Sequence, residues 1–130
     1  MSTPLEEFPK YRTWAVIGVS ADREKYGNKI YRDLREAGYQ VYGVNPKLAE
    51  VEGDPCYASL ADLPVVPDVV DVVVPPPVAE TVVDACVAQG IKRLWFQPGS
   101  ESEAAIQKAK AADITVISNA CIMIQKQLWQ

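Results

Sequence analysis

Thr13-Trp14-Ala15-Val16-Ile17-Gly18-Val19-Ser20, then Lys25-Tyr26-Gly27, a helical pattern from Ile30 to Gly38, and Gln40-Val41-Tyr42-Gly43-Val44-Asn45-Pro46-Lys47: this stretch decides the fold. The apolar run from Trp14 to Gly18 is continuous rather than alternating, as expected of a central strand covered on both faces. Tyr26, Ile30, Leu34 and Ala37 recur at helical spacing, while Lys29, Arg32, Asp33 and Arg35 fall on the opposite face, toward water. Gly38 suits a helix C-terminus. Val41 to Val44 reads as a second strand, closed by Asn45-Pro46 because proline cannot donate to a central ladder. Strand, polar loop, helix and strand follow in the order that a nucleotide-binding βαβ unit requires.

Working outward, residues 1–12 read as a short N-terminal arm, with two prolines and no apolar core of a signal peptide. Downstream, Ser59-Leu60-Ala61-Asp62 fits one capped helical turn ended by Leu63-Pro64. Val69 to Val74 reads as a third strand with Asp71 as its polar interruption, and Pro75-Pro76-Pro77 stops it and pre-sets the next helix. Val78, Val82, Val83, Cys86 and Val87 form a helical stripe closed by Gly90. Arg93 to Phe96 is a fourth strand, Ser100 and Glu103 suggest a capping box for a helix through Ala109, and Ile114 to Ile117 is a fifth strand before a last helix from Ile122 to Trp129. The expectation is one Rossmann-like α/β domain over residues 13–130, a five-stranded, mostly parallel sheet with helices on both faces.

Composition narrows the chemistry. A chain of 130 residues holds one core, and none of its apolar runs approaches the roughly 18 residues of a membrane span. The net charge of -4 argues against nucleic acid and anionic lipid as partners. There is no histidine, which removes the commonest general base, the usual metal ligand and any phosphohistidine. Cys56, Cys86 and Cys121 are odd in number and show no paired spacing, as expected of a cytoplasmic protein without a zinc site. Cys86, Trp14 and Trp95 read as core. Asp71 reads as a residue that bonds neighbouring backbone rather than a catalyst.

In a parallel sheet the ligand crevice lies at the carboxyl ends of the strands. Those ends are Gly18-Val19-Ser20, Asn45-Pro46-Lys47, Pro75-Pro76 and Gln97-Pro98-Gly99. The first loop offers backbone N–H groups, the Ser20 hydroxyl and the nearby Arg23 and Lys25 to a phosphate at a helix N-terminus. A dinucleotide fingerprint needs two further glycines and an acid after the second strand, and here Asn45, Pro46 and Lys47 stand in the acid's place. Lys47 cannot accept from a ribose hydroxyl but suits a phosphate on that ribose.

Val16-Ile17-Gly18-Val19-Ser20, Lys25-Tyr26-Gly27, Val44-Asn45-Pro46-Lys47, Val73-Val74-Pro75-Pro76 and Trp95-Phe96-Gln97-Pro98-Gly99 together resemble the stand-alone CoA-binding domain family. That family is similar in turn to the N-terminal CoA-binding domain of the succinyl-CoA synthetase alpha subunit. The resemblance implies coenzyme A or an acyl-CoA as ligand. Gly18, Val19 and Ser20 would cradle the pyrophosphate with Arg23 and Lys25 nearby, and Asn45, Pro46 and Lys47 would hold the adenosine end, Lys47 at the 3′-phosphate. Val74, Pro75 and Pro76 would wall the adenine or pantetheine, with Gln97, Pro98 and Gly99 along the pantetheine arm. The segment Ser118-Asn119-Ala120-Cys121 lacks the charged residue expected before this cysteine, so no role carries over to Cys121. With one domain and no phosphorylatable histidine, the expected function is non-catalytic CoA binding.

Three rival readings stand beside it. An NADP(H)-binding sensor or reductase could exploit Lys47. A CoA-binding component of an acyl-CoA ligase would need a separate partner to supply the nucleophile. A regulatory module with a vestigial pocket would bind none of these. Small α/β domains commonly form a homodimer, and no feature of the sequence locates an interface.

Overall fold

The computed structural model describes residues 4–118 and 122–125. The strands are β1 (Thr13–Ile17), β2 (Gln40–Val44), β3 (Glu50–Val51), β4 (Asp54–Tyr57), β5 (Val69–Val72), β6 (Arg93–Phe96) and β7 (Thr115–Ile117). The helices are α1 (Pro4–Glu7), α2 (Tyr26–Glu36), α3 (Pro76–Gln89), α4 (Glu103–Ala111) and α5 (Ile122–Gln125). Cys121 and Trp129 lie outside the described residues, and the last helix is described only to Gln125.

The sheet order is β3-β4-β2-β1-β5-β6-β7, parallel throughout except for the antiparallel β3–β4 pair. Five of these strands match the sequence reading. The other two, β3 and β4, correct the expected count from five to seven. They form an edge hairpin between Lys47 and Pro67 whose two- and four-residue strands are too short to show a period. Its turn places Glu52 at φ 49° and Gly53 at φ 83°, and β4 pairs parallel with β2.

Alternation along β1 sorts the core into two layers. Ala15 and Ile17 join Val70, Val72, Leu94 and Phe96 under α3 and α4, a mostly aliphatic layer that also takes the fully buried Cys86. Trp14 and Val16 face the other way with Trp95, against α2 and α5. There Trp14 meets Trp95 and Tyr39 at ring-centroid distances of 5.7 and 6.0 Å, and Phe8, buried after α1, adds a contact of 6.4 Å to Trp95. Residues 4–10 thus pack one aromatic side chain onto the sheet.

Local boundaries differ from the sequence reading at two places. β5 ends at Val72, and Val73 and Val74 leave the sheet toward α3. Ser102, not Ser100, caps α4: its Oγ accepts from Ala105 N at 3.2 Å, while Ser100 is buried and its N–H donates to Gln97 O. Gly38 and Gly90 close α2 and α3 as expected, with Tyr39 N–H reaching Leu34 O and Ile91 N–H reaching Cys86 O.

Candidate functional site

The chain runs from β1 to β2 on one side and, later, to β5 on the other, so the sheet reverses its winding between β1 and β5. That is where an open α/β sheet leaves a crevice. Gly18 sits there at φ 99°, and a Cβ on it would lie 2.8 Å from both Val73 O and Val74 Cγ1. A Cβ on Gly27, at the start of α2, would lie 2.3 Å from Gly18 O. The β1 loop, the β5 loop and the first turn of α2 therefore meet at van der Waals distance only because both positions lack a side chain.

Two clefts flank this junction. One, of about 590 Å³, is lined by Tyr26, Val73, Val74, Pro75, Pro76, Pro98, Gly99 and Ser100. The other, of about 420 Å³, is bounded by Gly18, Val44, Asn45, Pro46, Lys47, Ala58, Ser59, Leu60 and Val74, with Val78, Thr81, Val82 and Ala85 of α3 as its wall. Val74 lines both. The structure therefore brings together most of the residues singled out from sequence at one rim of the sheet, in two adjoining compartments.

Not all of them offer their side chains. Val19 is fully buried in the aromatic layer, leaving only its backbone at the loop. Ser20 Oγ accepts from Asp22 N at 3.0 Å, closing the loop on itself. Arg23, largely exposed, stands 3.5 Å from Glu52 of the β3–β4 turn. Lys25 and Lys47 are exposed. Asn45 is committed at both ends of its amide: Nδ2 donates to Val19 O at 2.8 Å, and Oδ1 accepts from Lys47 N at 2.9 Å. It shapes the loop that presents Lys47.

Gln97 is the clearest departure. Its side chain is fully buried and lies away from both clefts, with Nε2 donating to Asp71 Oδ1 at 2.6 Å and Oε1 accepting from Ile122 N at 3.4 Å. Asp71 itself is fully buried in β5, and its Oδ2 has no partner among the described residues. Its carboxyl bonds this side chain, not neighbouring backbone. Burial pushes the group up to about 8, only partly offset by the Gln97 hydrogen bond. Burial also pushes the Cys86 thiol up to about 12 and raises that of the half-buried Cys56. None of these favours a thiolate.

Sequence reasoning passed over Tyr26, Ser59 and Thr81, all of which line a cleft. Helical spacing puts Tyr26 on the apolar face of α2, yet the first turn of that helix borders the crevice, and the residue is 39% exposed. Ser59 reads only as the start of a capped turn and Thr81 carries no motif; the tertiary approach of the β4–β5 connection to α3 brings both to the wall. Among the described residues no cluster of acids and cysteines could hold a metal ion, and no helix is long and apolar enough to cross a membrane.

Fold and geometry define a doubly wound α/β domain with a divided crevice at its switch point. The family model described as a CoA binding domain matches residues 12–127, and the chain belongs to that family. It is 36% identical over 96 residues to the ADP-forming acetate–CoA ligase I of Archaeoglobus fulgidus, a match taking in 74% of this chain but only 14% of the ligase. A hypothetical protein from Pyrococcus horikoshii superposes with a TM-score of 0.90 at 35% identity, covering 95% of this chain and 89% of that one. A conserved hypothetical protein from Pyrococcus furiosus gives 0.86 at 41% identity, covering 89% and 100%.

Proposed function

We propose that the domain binds coenzyme A or an acyl-CoA non-covalently across the two clefts. The observation that carries this reading is the division of the crevice at Gly18 and Val74. One compartment has Lys47 and polar groups at its mouth and an aliphatic wall from α3, suited to a phosphorylated nucleoside. The other is walled by Val73, Val74, Pro75, Pro76 and Pro98, suited to a long, weakly polar pantetheine arm. Gly18 lines the first compartment and packs against Val73 and Val74 of the second, so the pyrophosphate of an extended ligand would pass close to it. Membership of the CoA binding domain family supports the same ligand.

The test is a thermal-shift panel with CoA, acetyl-CoA, dephospho-CoA, NAD(H) and NADP(H). CoA at about 100 times its dissociation constant stabilises by about 2.7 kcal/mol. The expected result is a shift with CoA that shrinks for dephospho-CoA and vanishes for the nicotinamides. A shift with NADP(H) alone would replace the ligand and keep the fold. The match to part of an acetate–CoA ligase favours a second reading, a CoA-binding component acting with a separate catalytic partner. Acyl-CoA formation only on addition of such a partner, ATP and a carboxylate would establish it.

A further inference from the structure

The loop between β1 and α2 is held by two side-chain amides that grip successive carbonyls. Asn45 Nδ2 donates to Val19 O at 2.8 Å, and Asn28 Nδ2 donates to Ser20 O, also at 2.8 Å. Asn28 lies in the first turns of α2 among positions whose polar residues the helical pattern assigns to solvent, yet it is fully buried. Its hydrogen-bonding capacity is used: Nδ2 also donates to Glu52 Oε2 at 3.2 Å, and Oδ1 accepts from Arg32 Nε at 2.7 Å. Arg32 reaches on to Arg23 O at 3.1 Å, and Glu52 pairs with Arg23. The hub therefore ties the loop to α2 and to the β3–β4 turn.

In a planar trans peptide the N–H points opposite to the carbonyl that precedes it. With Val19 O turned toward Asn45 and Ser20 O toward Asn28, the N–H groups of Ser20 and Ala21 point away from those two anchors. Among the described residues neither N–H donates to any group of the chain. Two adjacent backbone donors without partners among the described residues, held on their far side by the buried Asn28 and the half-buried Asn45, form a preorganised pair in the loop that follows Gly18.

We infer that Asn28 is a positioning residue for pyrophosphate recognition, clamping the Ser20 carbonyl as Asn45 clamps that of Val19, so that the Ser20 and Ala21 N–H groups are presented to the ligand. The inference rests on the CoA reading for the ligand's identity and on the hydrogen bonds alone for the clamp. It also gives Glu52 a place in the site: its carboxylate orients the Asn28 amide and draws Arg23 alongside the loop.

Asn28→Asp is the sharpest variant, because a carboxylate of the same shape accepts only and cannot donate to Ser20 O. Asn28→Ser, smaller and uncharged, serves if the aspartate variant does not fold. Two readouts separate the clamp from the ligand. In the ligand-free protein the Ser20 carbonyl-carbon resonance is expected to move upfield in either variant while those of β1 stay in place. In calorimetric titrations the variant is expected to weaken CoA by about tenfold or more, about 1.4 kcal/mol, and to leave adenosine 3′-phosphate, which has no pyrophosphate, within about twofold. An unmoved Ser20 carbonyl, or equal losses for CoA and adenosine 3′-phosphate, overturns the inference. A wild-type protein that binds neither ligand defeats the CoA reading, and the carbonyl resonance then decides the clamp by itself.

Discussion

Asn45 and Gln97 are both amides placed directly after a strand at the same rim of one sheet, and they behave in opposite ways. Asn45 stays at the rim and spends its side chain on two backbone groups of the open loops, Val19 O and Lys47 N. Gln97 turns inward to a buried acid and to the start of α5. The difference comes from what lies beneath. Pro46 and Lys47 carry the chain away after β2 over an open cleft, so the Asn45 amide meets only loop backbone. Gln97 continues the side-chain alternation of Trp95 and sits on the aromatic layer, where Asp71 has no other donor among the described residues. A strand-end amide next to an open loop organises a site; one above a buried carboxyl satisfies the core.

This contrast can be broken from the Gln97 side first. Asp71 holds its proton in the folded state to about pH 8, whereas an unfolded carboxyl releases it near 4. Between those values the folded state binds more protons than the unfolded one, so stability falls as pH rises. It is complete below about pH 4 and declines by up to about 1.4 kcal/mol per pH unit toward pH 8. Asp71→Asn removes that slope. Urea midpoints from pH 5 to 8 should fall in the wild type and stay nearly flat in the variant; parallel curves would show that Asp71 is charged in the fold.

Gln97→Ala strips from Asp71 its one hydrogen-bond donor among the described residues and should cost about 1–3 kcal/mol of stability by denaturant titration, with CoA affinity little changed. A loss of affinity without a loss of stability would return Gln97 to the pantetheine path. Lys47→Glu should weaken CoA about tenfold and dephospho-CoA much less, because only CoA carries the 3′-phosphate; in energy that is about 1.4 kcal/mol, read by calorimetry. Equal losses would remove Lys47 from the 3′-phosphate. Asn45→Ala gives the smallest change in stability, about 1 kcal/mol for its exchanged hydrogen bonds, yet it should lower CoA affinity measurably. The Gln97 and Asn45 variants should thus sort in opposite order on the two scales.

Much of this was legible in the residues. Continuous apolar runs marked the central strands, and Gly38, Gly90 and the three prolines marked where helices end and begin. The strand-end loops came out as one rim because a parallel sheet puts them there. The β3–β4 hairpin did not come out, because a two-residue strand has no period to read and its turn depends on Glu52 in the left-handed region. Asn28 and Gln97 escaped for a different reason. Each is a polar residue whose burial depends on partners distant in sequence, Glu52 at a separation of 24 residues and Asp71 at 26. Local pattern assigns such a residue to water or to the site; only the assembled fold shows it as an internal strut.

The most direct measurement is the map of backbone amide shifts in 15N-labelled protein on titration with CoA. The largest changes are expected at Gly18, Ser20, Ala21, Lys47, Ser59, Val74 and Gly99, on both sides of the β1–β5 junction, with little change at Arg12, Gly38 and Gln40 at the opposite end of the sheet. Saturable changes confined to that opposite end, or none with CoA at millimolar concentration, would contradict the placement of a CoA site at the strand ends.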